Sequence, residues 1–315
     1  MTQAQGHLTP CASDRQSQRI GGYAPISTYA AIGDGRTVAL VAGDGSIDWL
    51  PLPELDSASV FCALLDAGRG GRFALAPEEP YAVERRYLPG TNVLETVFST
   101  DAGAVRVTDA LTVPAGALGP LRELARRIEG LAGRVPMAWS VEPRFAYAGE
   151  SSRLGWRARV PVATAGGDAL AVCAFDAGAP EIAAGAIRGR FEARAGTRAL
   201  LSLSAAHGEP LVLPARDQVE ARLDETAAIW RRWSDDLTYA GPFRRPFCAV
   251  LSRSSCSSTR PQEQWPRRRR RRCPRGSAVS ATGITGSRGS GIRRLRSTRS
   301  WGSAAPRRRA RTSGG

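Results

Sequence analysis

Short apolar runs that alternate with polar residues fill the chain between Tyr23 and about Val212. Gly, Asp and Pro residues separate these runs at intervals of about 8–15 residues. Alternation with a period of two places apolar side chains on one face of a strand, and frequent turns are typical of a sandwich. We therefore predict an all-β fold, a large antiparallel β-sandwich (a super-sandwich), over residues 20–214. Its strands include Val93–Phe98, Val105–Thr108, Arg157–Val162, Ala169–Phe175, Ile187–Ala193 and Ala199–Leu203.

The clearest local signal is a hairpin. Thr37–Val41 and Ile47–Leu50 flank Gly43-Asp44-Gly45, and Asp-Gly between two strand-like runs predicts a tight turn with positive φ at Gly45. After Pro53 the pattern changes, and a short helix is expected, capped by Asp56 or Ser57. Its apolar face would hold Val60, Phe61, Leu64 and Leu65, and the core of the domain would lie around Trp49, Phe61, Trp139 and Trp156.

Apolar residues at helical spacing follow the sandwich. Val219, Leu223, Ala227 and Trp230 recur with Arg and Glu between them, which predicts a linker helix over residues 215–238. We expect a following domain to be the partner of this stripe. Without that domain the helix would fray after about Asp217, because a helix of this length is marginal unless its apolar face is buried.

The net charge of +15 is concentrated at one end. All 44 basic residues are arginine, and the segment from Arg244 onward holds 20 of them against one acidic residue, Glu263. That segment carries +19, so residues 1–243 carry −4. The body of the chain is therefore mildly acidic, and a function based on its basicity would belong to the tail alone.

The six cysteines show neither a disulfide framework nor the spacing of a zinc site. No N-terminal run is apolar enough for a signal peptide, and no segment has the length and hydrophobicity of a membrane span. The expectation is a cytoplasmic protein with no membrane partner.

Several motifs follow one another in a fixed order. They are Tyr29, Ile32-Gly33-Asp34, Arg36-Thr37, Ala39-Leu40-Val41, Asp44 to Trp49, Pro53, Asp56-Ser57, Ser59-Val60-Phe61, Leu64-Leu65-Asp66 and Gly70-Gly71, then Arg86 to Thr96 and Glu142-Pro143-Arg144-Phe145. In this order they resemble the N-terminal domain of bacterial glycoside hydrolase family 15 proteins, the glucoamylase-like and trehalase-like enzymes. The resemblance covers roughly residues 23 to 245. Glu54-Leu55 and Ala146 depart from it, since the family has a basic–aromatic pair and an Asp there.

The resemblance implies inverting hydrolysis of α-glucosidic bonds in trehalose or α-glucans, by one carboxylic acid and one carboxylate. In the family both lie in an (α/α)6 barrel, which we expect to be absent from this chain. We therefore assign no catalytic residue, no cofactor and no metal site. The implied partner is an α-glucoside or trehalose, and only in the intact enzyme. Asp34, Asp44, Asp48 and Asp56 could suggest a carboxylate set, but turn and cap roles are the preferred interpretation.

The tail from Pro246 has seven residues of the types Val, Ile, Leu, Phe and Met in about seventy, and an unbroken run Arg267–Arg272. One interpretation is an arginine-rich arm for nucleic acid; a second is a disordered, solvated tail. A third is that the tail is not in the protein's own reading frame.

The genetic code supports the third interpretation. When the last base of each codon is joined to the first two of the next, Cys248 to Trp265 permits RSALTLKLLVYAPTGA, with Met or Val next. In the same register, Val279 to Arg296 permits ERNWDYRFSW, then Ile, Leu or Val, then RDSAFT. These strings resemble the entry to the family's barrel, RSALtLKlLtYaPTGA and RNWDYRyxWlRD. We place the slip between about Phe243 and Phe247, in the direction of one lost base or two gained.

Three hypotheses for function follow. The first is the N-terminal sandwich of a family 15 enzyme, cut short by a frameshift and inactive as printed. The second is a free-standing carbohydrate-binding or partner-binding β module, which an exposed aromatic surface would favour. The third is an arginine-tailed nucleic-acid binder. The predicted layout is a disordered lead at 1–19, the sandwich at 20–214, the linker helix at 215–238, and a disordered tail at 239–315 that is out of frame from about 244.

Overall fold

A computed structural model describes residues 14–15, 19–113, 121–150 and 152–236. Its strands are β1 Asp14–Arg15, β2 Ala30–Gly33, β3 Val38–Val41, β4 Ile47–Pro51, β5 Ser59–Phe61, β6 Phe73–Pro77, β7 Ala82–Tyr87, β8 Leu94–Thr100, β9 Gly103–Leu111, β10 Arg122–Val141, β11 Arg153–Arg157, β12 Val160–Ala165, β13 Asp168–Phe175, β14 Glu181–Ala183, β15 Ala186–Arg194 and β16 Arg198–His207. The helical segments are a 3-10 turn at Ile26–Thr28, a single turn at Phe145–Ala148, and a long helix at Arg216–Asp235. The all-β prediction is confirmed.

Strand β10 joins two antiparallel sheets. Its first half pairs with β9 and β16, and its second half pairs with β6 and β15. The register shifts between Gly130 and Ala132, and Gly133 has φ +63°. A Cβ at Gly133 would lie 1.9 Å from the Ala102 carbonyl oxygen, so the close approach of the two chains here requires glycine. The bulge lets one 20-residue strand pass from the first sheet into the second.

The first sheet has the order β1-β7-β8-β9-β10-β16-β13-β12-β11. The second runs β14-β15-β10-β6-β4-β3-β2, with β5 paired to β4. Alternate residues of both sheets enter one hydrophobic core, for example Phe73 and Ile47 from the second sheet and Leu124 and Val107 from the first. The apolar alternation seen in the sequence is therefore the inner face of a sandwich.

The predicted hairpin is confirmed. Strands β3 and β4 pair antiparallel around a turn closed by hydrogen bonds from Ala42 N to Ser46 O (2.7 Å) and from Gly45 N to Ala42 O (3.0 Å). Gly45 has φ +82°, and a Cβ there would lie 2.6 Å from the Phe98 ring. The turn therefore requires glycine for both its backbone angle and its packing.

The short helix predicted after Pro53 is wrong. Ser59–Phe61 forms strand β5, and Leu65 is 63% exposed rather than on a buried helix face. Leu50 pairs with Phe61, and Arg144 N donates to Val60 O at 2.8 Å. These partners, distant in the sequence, form the backbone hydrogen bonds of β5 in an extended conformation. Pairing with them therefore outweighs the helical spacing of the apolar residues.

The predicted core is correct for Phe61 and Trp139, which are buried, and Trp49 is half-buried. Trp156 is not part of the core. It lies on β11, the last strand of the first sheet, and its side chain is 52% exposed. An edge strand has a neighbouring strand on one side only, so its side chains can stay exposed. The sequence around Trp156 does not show that β11 is an edge strand.

The long helix packs on the sandwich itself, so the expectation of a free apolar face and of fraying after Asp217 is wrong. Trp230 is 6% exposed, and the helix stays regular to Asp235. The buried cluster between helix and first sheet consists of Val219, Leu223, Ala227 and Trp230 from the helix and Val93, Ala110, Ala125 and Leu200 from the strands. The sheet thus has a second apolar face, because Ala110, Ala125 and Leu200 point away from the sandwich core.

The predicted tail at 239–315 and the frameshift near residue 244 lie outside the described residues. Of the predicted lead, Asp14–Arg15 pairs with β7 and Arg19 binds the sandwich, so the structured part begins before residue 20. No helix among the described residues combines the length and hydrophobicity needed to cross a lipid bilayer. The domain boundaries themselves stay predictions.

Candidate functional site

A largely buried ionic cluster surrounds the β3–β4 hairpin. The Arg19 guanidinium donates from Nε to Asp44 Oδ2 at 2.7 Å and from Nη1 to Asp48 Oδ2 at 2.8 Å. Ser46 Oγ lies 2.8 Å from Asp44 Oδ1 and 3.0 Å from Asp48 Oδ1. The Tyr29 hydroxyl donates to Asp48 Oδ2 at 2.7 Å. The lead to the domain is thus fastened to the hairpin by one arginine between two carboxylates.

The charges of this cluster are mutually compensated. Burial alone would raise the pKa of Asp44. The hydrogen bonds and positive charge of Arg19, together with the hydrogen bonds from Ser46, outweigh burial and hold that pKa below its usual value. Burial and the hydrogen bond to Asp48 raise the pKa of Tyr29. Asp48 is fully buried and accepts from Tyr29, Arg19 and Ser46. Because its hydrogen bonds are all made inside the protein, the Asp48 carboxylate has a structural role, and we call it with Arg19 and Asp44 the ionic clamp.

The four aspartates do not form one site. Asp34 Oδ1 accepts from the backbone N–H groups of Arg36 and Thr37 at 2.9 Å each, and Asp44 Oδ1 accepts from Ser46 N at 3.1 Å, so both have the expected turn role. Asp48 lies in β4, where it is a buried strand residue rather than a turn or cap. Asp56 is exposed in the loop between β4 and β5.

A second compensated charge pair lies between the sheets. Arg126 of β10 donates to Asp109 of β9 at 2.8 Å (Nε to Oδ1) and 3.1 Å (Nη2 to Oδ2), and both side chains are fully buried. The same guanidinium donates to the carbonyl oxygens of Gly45 and Phe73 and lies 4.8 Å from the centroid of the Phe73 ring. This pair ties the hairpin to the sheet junction and is shielded from any ligand.

The described residues offer no group of three or more metal-binding side chains. Burial, with the nearby Glu123, raises the pKa of the Cys173 thiol to about 11, and burial also raises the pKa of Cys62. A thiol needs a lowered pKa to act as a nucleophile near neutral pH. Neither of these cysteines therefore meets the requirement for nucleophilic catalysis.

A concavity of about 700 Å³ lies on the second sheet. Its lining consists of Ala74, Ala76, Pro77, Ala138, Trp139, Ser140, Ala179, Glu181, Ala183, Arg188, Gly189 and Arg190. Trp139 is buried, and its Nε1 donates to Ala177 O at 2.7 Å. A ring in that position presents no open face to a ligand, so the concavity is lined by small side chains and a few charges.

An accessible aromatic pair lies elsewhere on the sandwich. Trp49 of β4 and Tyr147 have ring centroids 5.9 Å apart with an interplanar angle of 37°, and Tyr147 is 49% exposed. Tyr147 belongs to a left-handed turn in which Ala146, Tyr147 and Ala148 have φ of 51°, 57° and 64°. Non-glycine residues pay about 1–2 kcal/mol each for this conformation. Strain of this kind is concentrated at functional sites, so this turn is the candidate site of the described chain.

Sequence reasoning missed both halves of this arrangement. Trp49 was expected in the core, and Ala146 was noted only as a departure from the family pattern. No local signal marks Ala146, Tyr147 and Ala148 as left-handed, because none of them is Gly or Asn. Arg19 was likewise missed, because it lies outside the predicted domain and no sequence pattern links it to Asp48.

Comparison with known proteins identifies most of this sandwich. A family model described as "Trehalase-like, N-terminal" matches residues 15–161. That segment is similar to a trehalase N-terminal domain, and we call it the trehalase-like domain. It contains the hairpin, the ionic clamp and the left-handed turn, so the residues that carry the resemblance to family 15 are structural elements of this domain.

Curated relatives of the trehalase-like domain carry the name trehalase. One from Mycolicibacterium smegmatis is 40% identical over 124 residues, which is 38% of this chain and 17% of the relative. One from Mycobacterium tuberculosis is 37% identical over 137 residues, 42% of this chain and 19% of the relative. The chain thus spans about a fifth of the length of the curated relatives it matches. A bacterial glucoamylase solved in complex with acarbose aligns with 73% of this chain and 38% of its own, at a TM-score of 0.42 and 10% identity.

Proposed function

We propose that the trehalase-like domain is the non-catalytic N-terminal module of a glycoside hydrolase that cleaves α-glucosidic bonds, in trehalose or a related α-glucan, with inversion. The observation that carries this proposal is the match of residues 15–161 to the trehalase N-terminal model, in a segment that is 37–40% identical to two trehalases. In that role the sandwich supports a catalytic domain that supplies both carboxylates.

The chain as printed is proposed to be inactive. Asp34, Asp44, Asp48 and Asp109 are engaged in a turn, a clamp or a buried ion pair, whereas Asp56 is exposed. A hydrolase needs a raised-pKa acid and a free base on opposite faces of the sugar. The four engaged aspartates are not available for these two roles, and we assign no catalytic residue, cofactor or metal to the sandwich.

The decisive experiment uses two versions of the gene. The nucleotide sequence across codons 240–250 is read first, and the frame is then restored by one added base or two removed. Purified products of both versions are assayed for glucose release from trehalose, maltose and soluble starch, against a vector-only preparation. We expect release only from the frame-restored protein. Turnover by the printed chain that survives repurification, or an intact frame at these codons, contradicts the proposal.

The same proposal makes the glucoside the only partner, in a cytoplasmic enzyme that binds neither nucleic acid nor a membrane. The alternative of a nucleic-acid binder rests on arginines from 244 onward, whereas residues 1–243 carry a net charge of −4. Binding of a single-stranded oligonucleotide by a chain truncated at residue 243 would contradict this assignment. The alternative of a free-standing carbohydrate-binding module is favoured by one observation, the pairing of the exposed Tyr147 with the half-buried Trp49.

A further inference from the structure

The left-handed turn at Phe145–Ala148 is held firmly in place. On its N-terminal side, Arg144 N donates to Val60 O at 2.8 Å and Arg144 Nη1 donates to Gly185 O at 3.0 Å. Phe145 is buried in the sandwich core, and Gly149 N donates to Ala146 O at 2.9 Å beyond it. The surrounding structure therefore fixes three consecutive residues in an unfavourable conformation instead of letting them relax.

The consequence of the turn is the placement of Tyr147. Its neighbour Phe145 enters the core, whereas the Tyr147 ring stays 49% exposed beside the half-buried Trp49. The Tyr147 hydroxyl lies 3.5 Å from Ser57 O, a distance too long for a firm hydrogen bond. A ligand could therefore replace this weak contact of the Tyr147 hydroxyl. Asp56, next to Ser57 in the sequence, is exposed and adds a carboxylate on the loop that holds Ser57.

This combination has the chemistry of a sugar site. The rings of Trp49 and Tyr147 offer an apolar surface, and the Tyr147 hydroxyl adds a polar group to it. The Asp56 carboxylate can accept hydrogen bonds from the hydroxyl groups of a sugar. Ligand sites in general combine aromatic surface with a few convergent polar groups. The concavity on the second sheet lacks the aromatic part, since Trp139 is buried and its N–H is taken by Ala177.

We propose that Trp49, Tyr147 and Asp56 form a glucoside-binding surface on the trehalase-like domain, in which a glucosyl ring lies against the two aromatic rings and its hydroxyl groups bond Tyr147 and Asp56. This inference rests on the proposed function for its choice of sugar. It adds a binding site on the sandwich, separate from the catalytic carboxylates that the sandwich does not supply.

The test is a binding titration of the full 315-residue chain with trehalose, maltose and maltotriose. Tryptophan fluorescence and saturation-transfer NMR report contact with the rings. We expect weak saturable binding of at least one sugar and a loss of about tenfold or more in affinity for Tyr147→Ala. Tyr147→Phe keeps the ring but not the hydroxyl, so its loss of affinity should be smaller than that of Tyr147→Ala. Trp156→Ala is the matched control, because Trp156 is equally exposed but lies alone on the edge strand β11. It should bind as the parent does.

Folding is checked by the melting temperature of each variant. Should Tyr147→Ala unfold, Asp56→Asn replaces it, since Asp56 is exposed and its loss should weaken binding several-fold without affecting the core. Absence of saturable binding for all three sugars overturns the proposal. So does equal affinity of parent, Tyr147→Ala and Asp56→Asn, or an equal loss in Trp156→Ala. Concentration-dependent self-association that Tyr147→Ala abolishes, with no sugar effect, would overturn it in favour of a protein interface.

The outcomes separate this inference from the proposed function. A frame-restored enzyme that hydrolyses trehalose, combined with a sandwich that binds no sugar through Tyr147, leaves the function standing and removes the site. Binding through Tyr147 without hydrolysis by the frame-restored protein removes the function and leaves the site.

Discussion

Arg222 of the long helix and Glu123 of β10 form a two-pronged ion pair, with N···O distances of 2.7 and 2.8 Å. Glu123 is fully buried and also accepts from Ser202 and Thr112 at 3.1 Å each. The pair joins the helix to the outer face of the first sheet. It shows that residues 216–235 belong to the sandwich as an integral layer.

Removing Arg222 should therefore destabilise the whole domain. Arg222→Ala leaves the Glu123 carboxylate buried without its countercharge, which costs about 3–5 kcal/mol. Arg127→Ala is the control, because its partner Asp224 is 68% exposed, and an exposed pair contributes less than about 1 kcal/mol. Urea denaturation gives both values. Equal losses for the two variants would show that the buried ion pair does not anchor the helix.

Trp230 tests the apolar part of the same contact. Trp230→Ala should cost about 3–5 kcal/mol, because it empties a buried site against the first sheet. Within the described chain the indole N–H of Trp230 is buried without a hydrogen-bond partner. Trp230→Phe loses no hydrogen bond and should cost less than about 1.5 kcal/mol.

The measurement for Trp230 is the melting temperature of the sandwich together with its solubility. If Trp230→Ala improved solubility and left the melting temperature unchanged, the helix would be a free linker. That outcome would contradict the packing described above.

A second stability prediction concerns the β11–β12 hairpin. Its two turn residues, Ala158 and Arg159, have φ of 46° and 67°, which favours glycine in a two-residue turn. Arg159→Gly should stabilise the domain by about 0.5–1 kcal/mol, because it removes the strain of a left-handed arginine.

Arg153→Gly is the matched control for the hairpin. Arg153 is also exposed but lies in extended β11, where glycine weakens a strand. Thermal denaturation should show opposite signs for the two substitutions. A loss of stability in both would mean that the Arg159 side chain matters more than its backbone angle.

The Arg19 clamp predicts a pH-dependent contribution to stability. The pKa of Asp44 is lowered in the folded state, so its contribution is present above the unfolded value of about 4 and is lost as the pH falls through the folded pKa. Arg19→Ala should cost about 3 kcal/mol at pH 7, since the buried Asp48 carboxylate also loses the positive charge of Arg19. The difference between parent and variant should shrink below about pH 4.

Denaturation at several pH values checks this prediction, with Arg69→Ala as the control. Arg69 is exposed and forms no ion pair among the described residues, so its loss should change stability by less than about 0.5 kcal/mol. A pH-independent deficit in Arg19→Ala would show that packing of the arginine stem, and not the Asp44 charge, fastens the lead.

The sequence predicts those features that depend on neighbours along the chain. The alternation in Val105–Thr108 or Ala199–Leu203 predicts strands because the period of two is set by backbone geometry. Asp44-Gly45 predicts a turn because glycine adopts a positive φ without steric cost. The stripe from Val219 to Trp230 predicts a helix for the same local reason.

Partners distant in the chain are decided by the tertiary structure alone. The stripe does not reveal that it faces Ala110 and Ala125, since those small residues are unremarkable within their strands. The site is the extreme case: Trp49 and Tyr147 are 98 positions apart, and their contact depends on a left-handed turn whose residues carry no left-handed signal. The physical reason is a difference in free energy. Secondary-structure propensities of ordinary residues differ by less than about 1 kcal/mol, whereas burial of a large side chain against a surface distant in the sequence stabilises the fold by several kcal/mol.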